Sequence, residues 1–204
     1  MSDRLAAALA GIIVLALILS GLAPFDRTTW WLEVAPVLIA LPALIATRRR
    51  FPLTPLAYWL IFVHAGVLIA GGAYSYARVP LGFWLQDAFA LSRNPYDKIG
   101  HFMQGLTPAL LTCEVLLRGG YVRLSKARRM TVFLAICVAM AISACYELIE
   151  WGAAAALGQG ADEFLGTQGD PWDTQSDMLM AFLGANFAMC CLRHWHTRQM
   201  QRMG

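Results

Sequence analysis

The residues able to do chemistry in this chain fall into three short polar clusters. The first is Tyr96-Asp97-Lys98-Ile99-Gly100-His101, with Gln104 one turn later; the second is Glu147-Leu148-Ile149-Glu150-Trp151. The third is an acidic stretch, Gly166-Thr167-Gln168-Gly169-Asp170-Pro171-Trp172-Asp173-Thr174-Gln175-Ser176-Asp177-Met178, that runs straight into apolar sequence. Asp97, His101 and Gln104 are four and three residues apart, which stacks them on one face of a helix. Asp173 and Asp177 are four apart and Glu147 and Glu150 three, so each cluster offers a polar stripe of its own. One histidine among several carboxylates suits a Zn²⁺ or Mn²⁺ centre with open positions, built from facing helices. In that reading His101, Asp173 and Asp177 are the metal ligands, Glu147 or Glu150 is the general base, and Lys98 clamps an anionic substrate. Asp97, Gln104, Trp172 and Gln175 complete the substrate contacts. The alternative is a plain hydrogen-bonded network in which His101 and Lys98 pair with the carboxylates.

The elements that must hold these stripes are set by composition. The chain has 204 residues, of which 58% are hydrophobic and only 14% charged, with a mean hydropathy of +0.54, far too apolar for an ordinary soluble domain. Six apolar stretches approach the length that a hydrocarbon core of about 30 Å requires: 5–23, 30–47, 53–73, 99–117, 131–157 and 178–192. They leave little chain over, so the expected fold is an all-α membrane protein, a single domain over 1–204 consisting of a bundle of six transmembrane helices. The basic residues cluster beside spans: Arg48, Arg49 and Arg50; Arg118, Arg123, Lys126, Arg128 and Arg129; Arg193, Arg198 and Arg202. By the positive-inside rule these regions are cytoplasmic, which places both termini inside and all three polar clusters at one external depth. The net charge of +3 is thereby a topology signal, and no nucleic-acid motif accompanies it.

Other residues carry less. Residues 79–89, with Phe83, Trp84 and Phe89, read as a short helix lying in the interface, and the Gly-rich loop 158–171 as a lid. Glu33, near the outer end of the second span, snorkels or joins the polar centre. His64 reads as a satisfied mid-span residue, Glu114 and Arg118 as a pair four apart, and His194 and His196 as part of a solvated tail. Gly184 and Ala185 suggest close helix contact, and the five cysteines read as small core residues without a CxxC pair.

The strings Tyr96 to His101, Tyr146-Glu147-Leu148-Ile149-Glu150-Trp151 and Thr167 to Met178 closely resemble the signatures of the YjdF-like family of bacterial inner-membrane proteins, over nearly the whole chain. That resemblance implies a location and a shared site, and no reaction. A more distant similarity is to VanZ-like proteins, echoed at Asp97-Lys98, His101, Glu147, Asp177 and Gly184. Here Glu150 replaces the glutamine of that pattern and Ala181 its asparagine.

These readings converge on an inner-membrane protein with an outward-facing His/Glu/Asp site. Its partners are membrane lipids and a lipid or envelope-derived substrate, and its chemistry is metal-assisted hydrolysis or binding. The competing classes are a proton- or ion-coupled transporter, in which polar residues continue through the membrane, and a structural or assembly protein whose polar network is not catalytic.

Overall fold

A computed structural model describes residues 3–122, 124–157 and 168–203, without the side chains of 124–128 and 157. All regular structure among them is helical. Long helices are α1 (Asp3–Leu22), α2 (Arg27–Thr47), α3 (Pro55–Tyr74), α5 (Tyr96–Arg118), α6 (Leu124–Leu157) and α7 (Asp173–Phe187). A short α4 (Pro80–Ala88) follows a single 3-10 turn at Tyr76–Arg78, and a π-turn at Ala188–Leu192 leads from α7 into α8 (Arg193–Gln201).

The helix ends follow from local chemistry. At the start of α2, the Asp26 carboxylate accepts the Thr29 backbone N–H at 2.7 Å, which satisfies a free donor of the first turn and holds the Asp26 carboxyl below its ordinary range. Thr54 caps α3 in the same way, with Pro55 at the first helical position, where its missing N–H costs nothing. α5 stops at Gly119, and Gly120 follows at φ +76, the left-handed region that a glycine enters freely. Pro36 and Pro42 lie inside α2 and Pro108 inside α5, each removing one intrahelical donor.

Among the described residues, four helices are long and apolar enough on their own to cross a membrane: α1, α2, α3 and residues 129–156 of α6. The two remaining expected spans differ for a physical reason. α5 buries Asp97, His101, Gln104, Thr107 and Glu114 among its apolar residues, and α7 gives way to the π-turn after fifteen residues. α5 is the hub of the bundle, packed against α3, α6 and α7.

The closest approach is between α5 and α7, whose backbones meet at glycines. A Cβ on Gly105 would stand 1.8 Å from the Ala181 carbonyl oxygen, and one on Gly184 would stand 2.0 Å from that of Phe102. The hydrophobic core gathers on this seam, around Leu106, Ala109, Leu110, Cys113, Ala185 and Met189, with Ala135 and Ala139 of α6. A second apolar cluster joins α1, α2 and α3 through Ile13, Leu17, Trp30, Val34 and Ile69. Of the cysteines only Cys113 is buried, whereas Cys137, Cys145, Cys190 and Cys191 are exposed on helix surfaces, which corrects their reading as core residues. α4 does form, and it exposes Leu81, Phe83 and Trp84, with Phe89 just beyond it.

Candidate functional site

The first turn of α5, the last turns of α6 and the first turn of α7 lie together at one end of the bundle, and the three polar clusters meet there around His101. Its Nε2 lies 3.4 Å from Asp97 on the same helix and 3.8 Å from Asp177 of α7. Its Nδ1 lies 3.2 Å from the Gln104 amide oxygen and 3.6 Å from Glu147 of α6. Nε2 therefore faces two carboxylates, and Nδ1 faces one carboxylate and one amide oxygen. Asp97 and Asp173 occupy first helical turns, where the helix dipole favours negative charge.

Two sets of three potential ligands share the histidine: Asp97, His101 and Asp177, and His101, Glu147 and Glu150, with the ligand atoms of each set within 4.8 Å of one another. Two metal–ligand bonds of about 2.1 Å span at most about 4 Å, so modest side-chain rotation closes either set on an ion. Between them lies a cavity of about 20 Å³ lined by Leu68, Tyr76, Asp97, Gly100, His101, Gln104, Tyr146 and Glu150, enough for one water-sized group. Asp97 Oδ2 and Glu147 Oε1 are buried without a hydrogen-bond partner. Buried carboxylate oxygens are rarely left so in a plain structural network.

Lys98 and Asp173 stand to one side of this centre. The Lys98 ammonium donates to Asp173 at 2.8 Å and to Asp177 at 2.6 Å, and Arg93 reaches Asp173 at 2.7 Å and Asp170 at 2.9 Å. Asp173, expected as a ligand, is thus held between two cations, and Asp97, expected as a substrate contact, stands among the potential ligands instead. Trp172 and Gln175 are exposed, with Trp172 at 68%, so neither lines the cavity. The loop 158–171 lies largely outside the described residues. Gln168 is described: it accepts the Asn94 N–H at 3.2 Å and donates back to the Asn94 carbonyl at 3.0 Å, pinning the segment before α7 to the entry of α5.

Several residues of the site stand outside the three clusters as first delimited. Glu33 of α2 is buried and accepts the Tyr146 hydroxyl at 3.0 Å, so it joins the centre. Tyr146 and Tyr76 wall the cavity. The signal for Tyr146 was its spacing of four from Glu150, which puts both on the cavity face of α6, while Glu147 points toward α7. Arg93 precedes α5 and carried no periodic signal.

A second buried polar cluster lies at the opposite end of α5. Glu114 accepts from the Thr54 N–H and hydroxyl at 2.8 Å each, from Arg118 at 2.6 Å, and pairs with His196 Nε2 at 2.8 Å. Arg118 is the expected partner. His196 is a correction, since it is fully buried rather than part of a solvated tail. The π-turn continues the helix and turns that face inward, where the Gln199 side chain also accepts the Leu56 N–H at 3.0 Å. With both oxygens of Glu114 doubly engaged, this cluster is a tie between α3, α5 and α8.

The family described as "Predicted membrane protein (DUF2238)" matches residues 5–198. The chain is 58% identical over 192 residues to the "Inner membrane protein YjdF" of Escherichia coli (strain K12), covering 94% of this chain and 90% of that protein. No solved structure matches. Apolar membrane-length helices, the three polar strings and identity over almost the whole length agree: the chain belongs to the DUF2238 family and is a multi-pass inner-membrane protein.

Proposed function

We propose that the chain crosses the inner membrane six times with both termini in the cytoplasm, and that its outward-facing site binds a divalent metal, Zn²⁺ or Mn²⁺, for hydrolysis of a lipid or envelope-derived substrate. Asp97, His101 and Asp177 hold the ion, Glu147 or Glu150 takes a proton from the attacking water, and Lys98 pairs with Asp177 beside it. One observation carries this reading: a buried carboxylate oxygen without a partner, on Asp97, beside a water-sized cavity whose wall includes the shared histidine. Repulsion among so many carboxylates is costly unless a cation offsets it.

The test is elemental analysis of purified protein after dialysis against Zn²⁺ or Mn²⁺. Wild type is expected to retain about one ion per chain, and His101→Ala to fall to background, because both ligand sets lose their shared member. Metal-free wild type, or equal retention in the two proteins, ends the metal reading. It would favour a second one supported by the ion pairs of Lys98 and Arg93, in which the polar end of the bundle is a structural network.

The topology is tested separately with reporter fusions. Fusions at Ala90 and Gly169 are expected to report outside, and fusions at Gly120 and Gly204 inside. A cytoplasmic Gly169 would put the site on the wrong face for an envelope substrate.

A further inference from the structure

An apolar groove of about 640 Å³ opens among α1, α2, α3, α5 and α6, walled by residues such as Val37, Leu41, Phe62, Ala65, Leu111 and Ile142. Its volume is within the range of about 300–1,000 Å³ typical of ligand sites. It shares Leu68, Gln104 and Tyr146 with the polar cavity at His101, so the two spaces meet at a common wall. From there it runs to Asp3, Arg48 and Tyr58 at the other end of the bundle. Along α2, from Pro36 to Arg48, that is roughly 18 Å at 1.5 Å per residue, a little over half of a hydrocarbon core of about 30 Å.

The apolar stretch of such a groove gains little from water, and unfilled it forfeits the dispersion contacts of its lining. In a bilayer the hydrocarbon chains of lipids are the groups at hand to supply them. The wall is not uniformly apolar. Thr107 lines the groove, and its hydroxyl is buried behind the wall without a hydrogen-bond partner. Pro108 on the same wall removes the donor that would meet the Gln104 carbonyl, and His64 lies across from them on α3.

We propose that the groove is a chain-binding subsite, holding one linear hydrocarbon chain, acyl or isoprenyl, of an amphiphile whose polar end lies at His101. The inference rests on the reading of the His101 end as the reacting centre, and it gives that centre's substrate a class: a single-chain amphiphile entering from the membrane. Gln104 and Tyr146 stand where chain and head meet.

The experiment uses full-length protein in liposomes with two photoactivatable probes, a diazirine-bearing palmitic acid and a diazirine-bearing polyprenyl alcohol, and maps the labelled residues by mass spectrometry. Labelling is expected at Leu41, Phe62 and Leu111 in excess of the lipid-facing residues Ile12, Leu15 and Ile18 of α1, and the favoured probe identifies the chain. Ala40→Trp on α2 and Ala10→Trp on α1 each place an indole in the groove, and both should abolish that excess while leaving the labelling of Ile12, Leu15 and Ile18 unchanged. Thermal melting shows whether each variant is folded; if neither is, the wild-type map alone decides. Labelling spread evenly over groove and lipid-facing residues, or an excess that survives in the folded variants, overturns the proposal. Metal content measured on the same samples separates the two readings: metal bound without groove labelling sinks only the chain subsite, and groove labelling without metal sinks only the metal centre.

Discussion

Replacing Lys98 by methionine is expected to cost about 3–5 kcal/mol of stability, the range for breaking a buried ion pair by removing one partner. The Lys98 ammonium sits between Asp173 and Asp177, whose side chains are only 5% and 3% exposed. Asp173 retains Arg93 at 2.7 Å, whereas Asp177 is left facing His101 at 3.8 Å and the other carboxylates of the centre. The penalty therefore falls mainly on Asp177, and Asp177→Asn in the same chain should recover much of it, because a neutral amide needs no counter-ion. Equilibrium unfolding in micelles of the single and double variants reads both numbers. A loss under about 1 kcal/mol, as for an exposed pair, would show that water already compensates these aspartates and that the site is not dehydrated. Added Zn²⁺ should stabilise Lys98→Met more than wild type, since the ion then takes the place of the missing cation.

Adding a single methyl group at Gly105 is expected to cost about 3 kcal/mol, at the upper end for overpacking. The Ala181 carbonyl that the new Cβ would strike is backbone, so it cannot turn aside as a flexible side chain could. α5 and α7 must then move apart, which also draws Asp177 away from His101. Gly105→Ala should therefore lose retained metal along with stability. Gly66→Ala on α3 is the control, because nothing lies within 4 Å of a Cβ there, and exchanging an open helical glycine for alanine is neutral or mildly stabilising. Melting the two variants side by side settles it: equal behaviour would mean that the helices do not approach as closely as the glycines imply.

Much of the architecture was legible in the sequence because its causes are local. Apolar runs of membrane length identify helices wherever a bilayer is the solvent. A period of 3.6 residues puts Asp97, His101 and Gln104 on one stripe whatever the helix packs against. Alternating span directions then bring the start of one helix, the end of the next and the start of a third to one end of the bundle, so a shared polar end was expected before any contact was known. Gly184 was readable as a seam for the same reason, since small residues are what let membrane helices approach.

Which groups pair within the shared end was not legible, because pairing is settled by distances of an ångström or two that no spacing rule encodes. Many ionisable side chains compete for partners there, and the closeness of α5 to α7 decides that Lys98 takes Asp173 and Asp177 while His101 is left to Asp97, Gln104 and Glu147. Arg93 reaches Asp170 and Asp173 across 77 and 80 residues of chain, and Tyr146 finds Glu33 across 113. His196 shows the limit most plainly: the polar composition of its segment reads as a solvated tail, but a π-turn rotates that segment onto the bundle, where Glu114 supplies the partner that makes burial tolerable. The groove has a similar origin, being an absence of side-chain volume among five helices. The sequence by itself determined a helical membrane protein with three polar clusters gathered at one end, because hydrophobicity and helical period act residue by residue. Only the tertiary structure decided which carboxylate meets which cation and where the void lies, because both depend on how closely, and at what rotation, the helices pack.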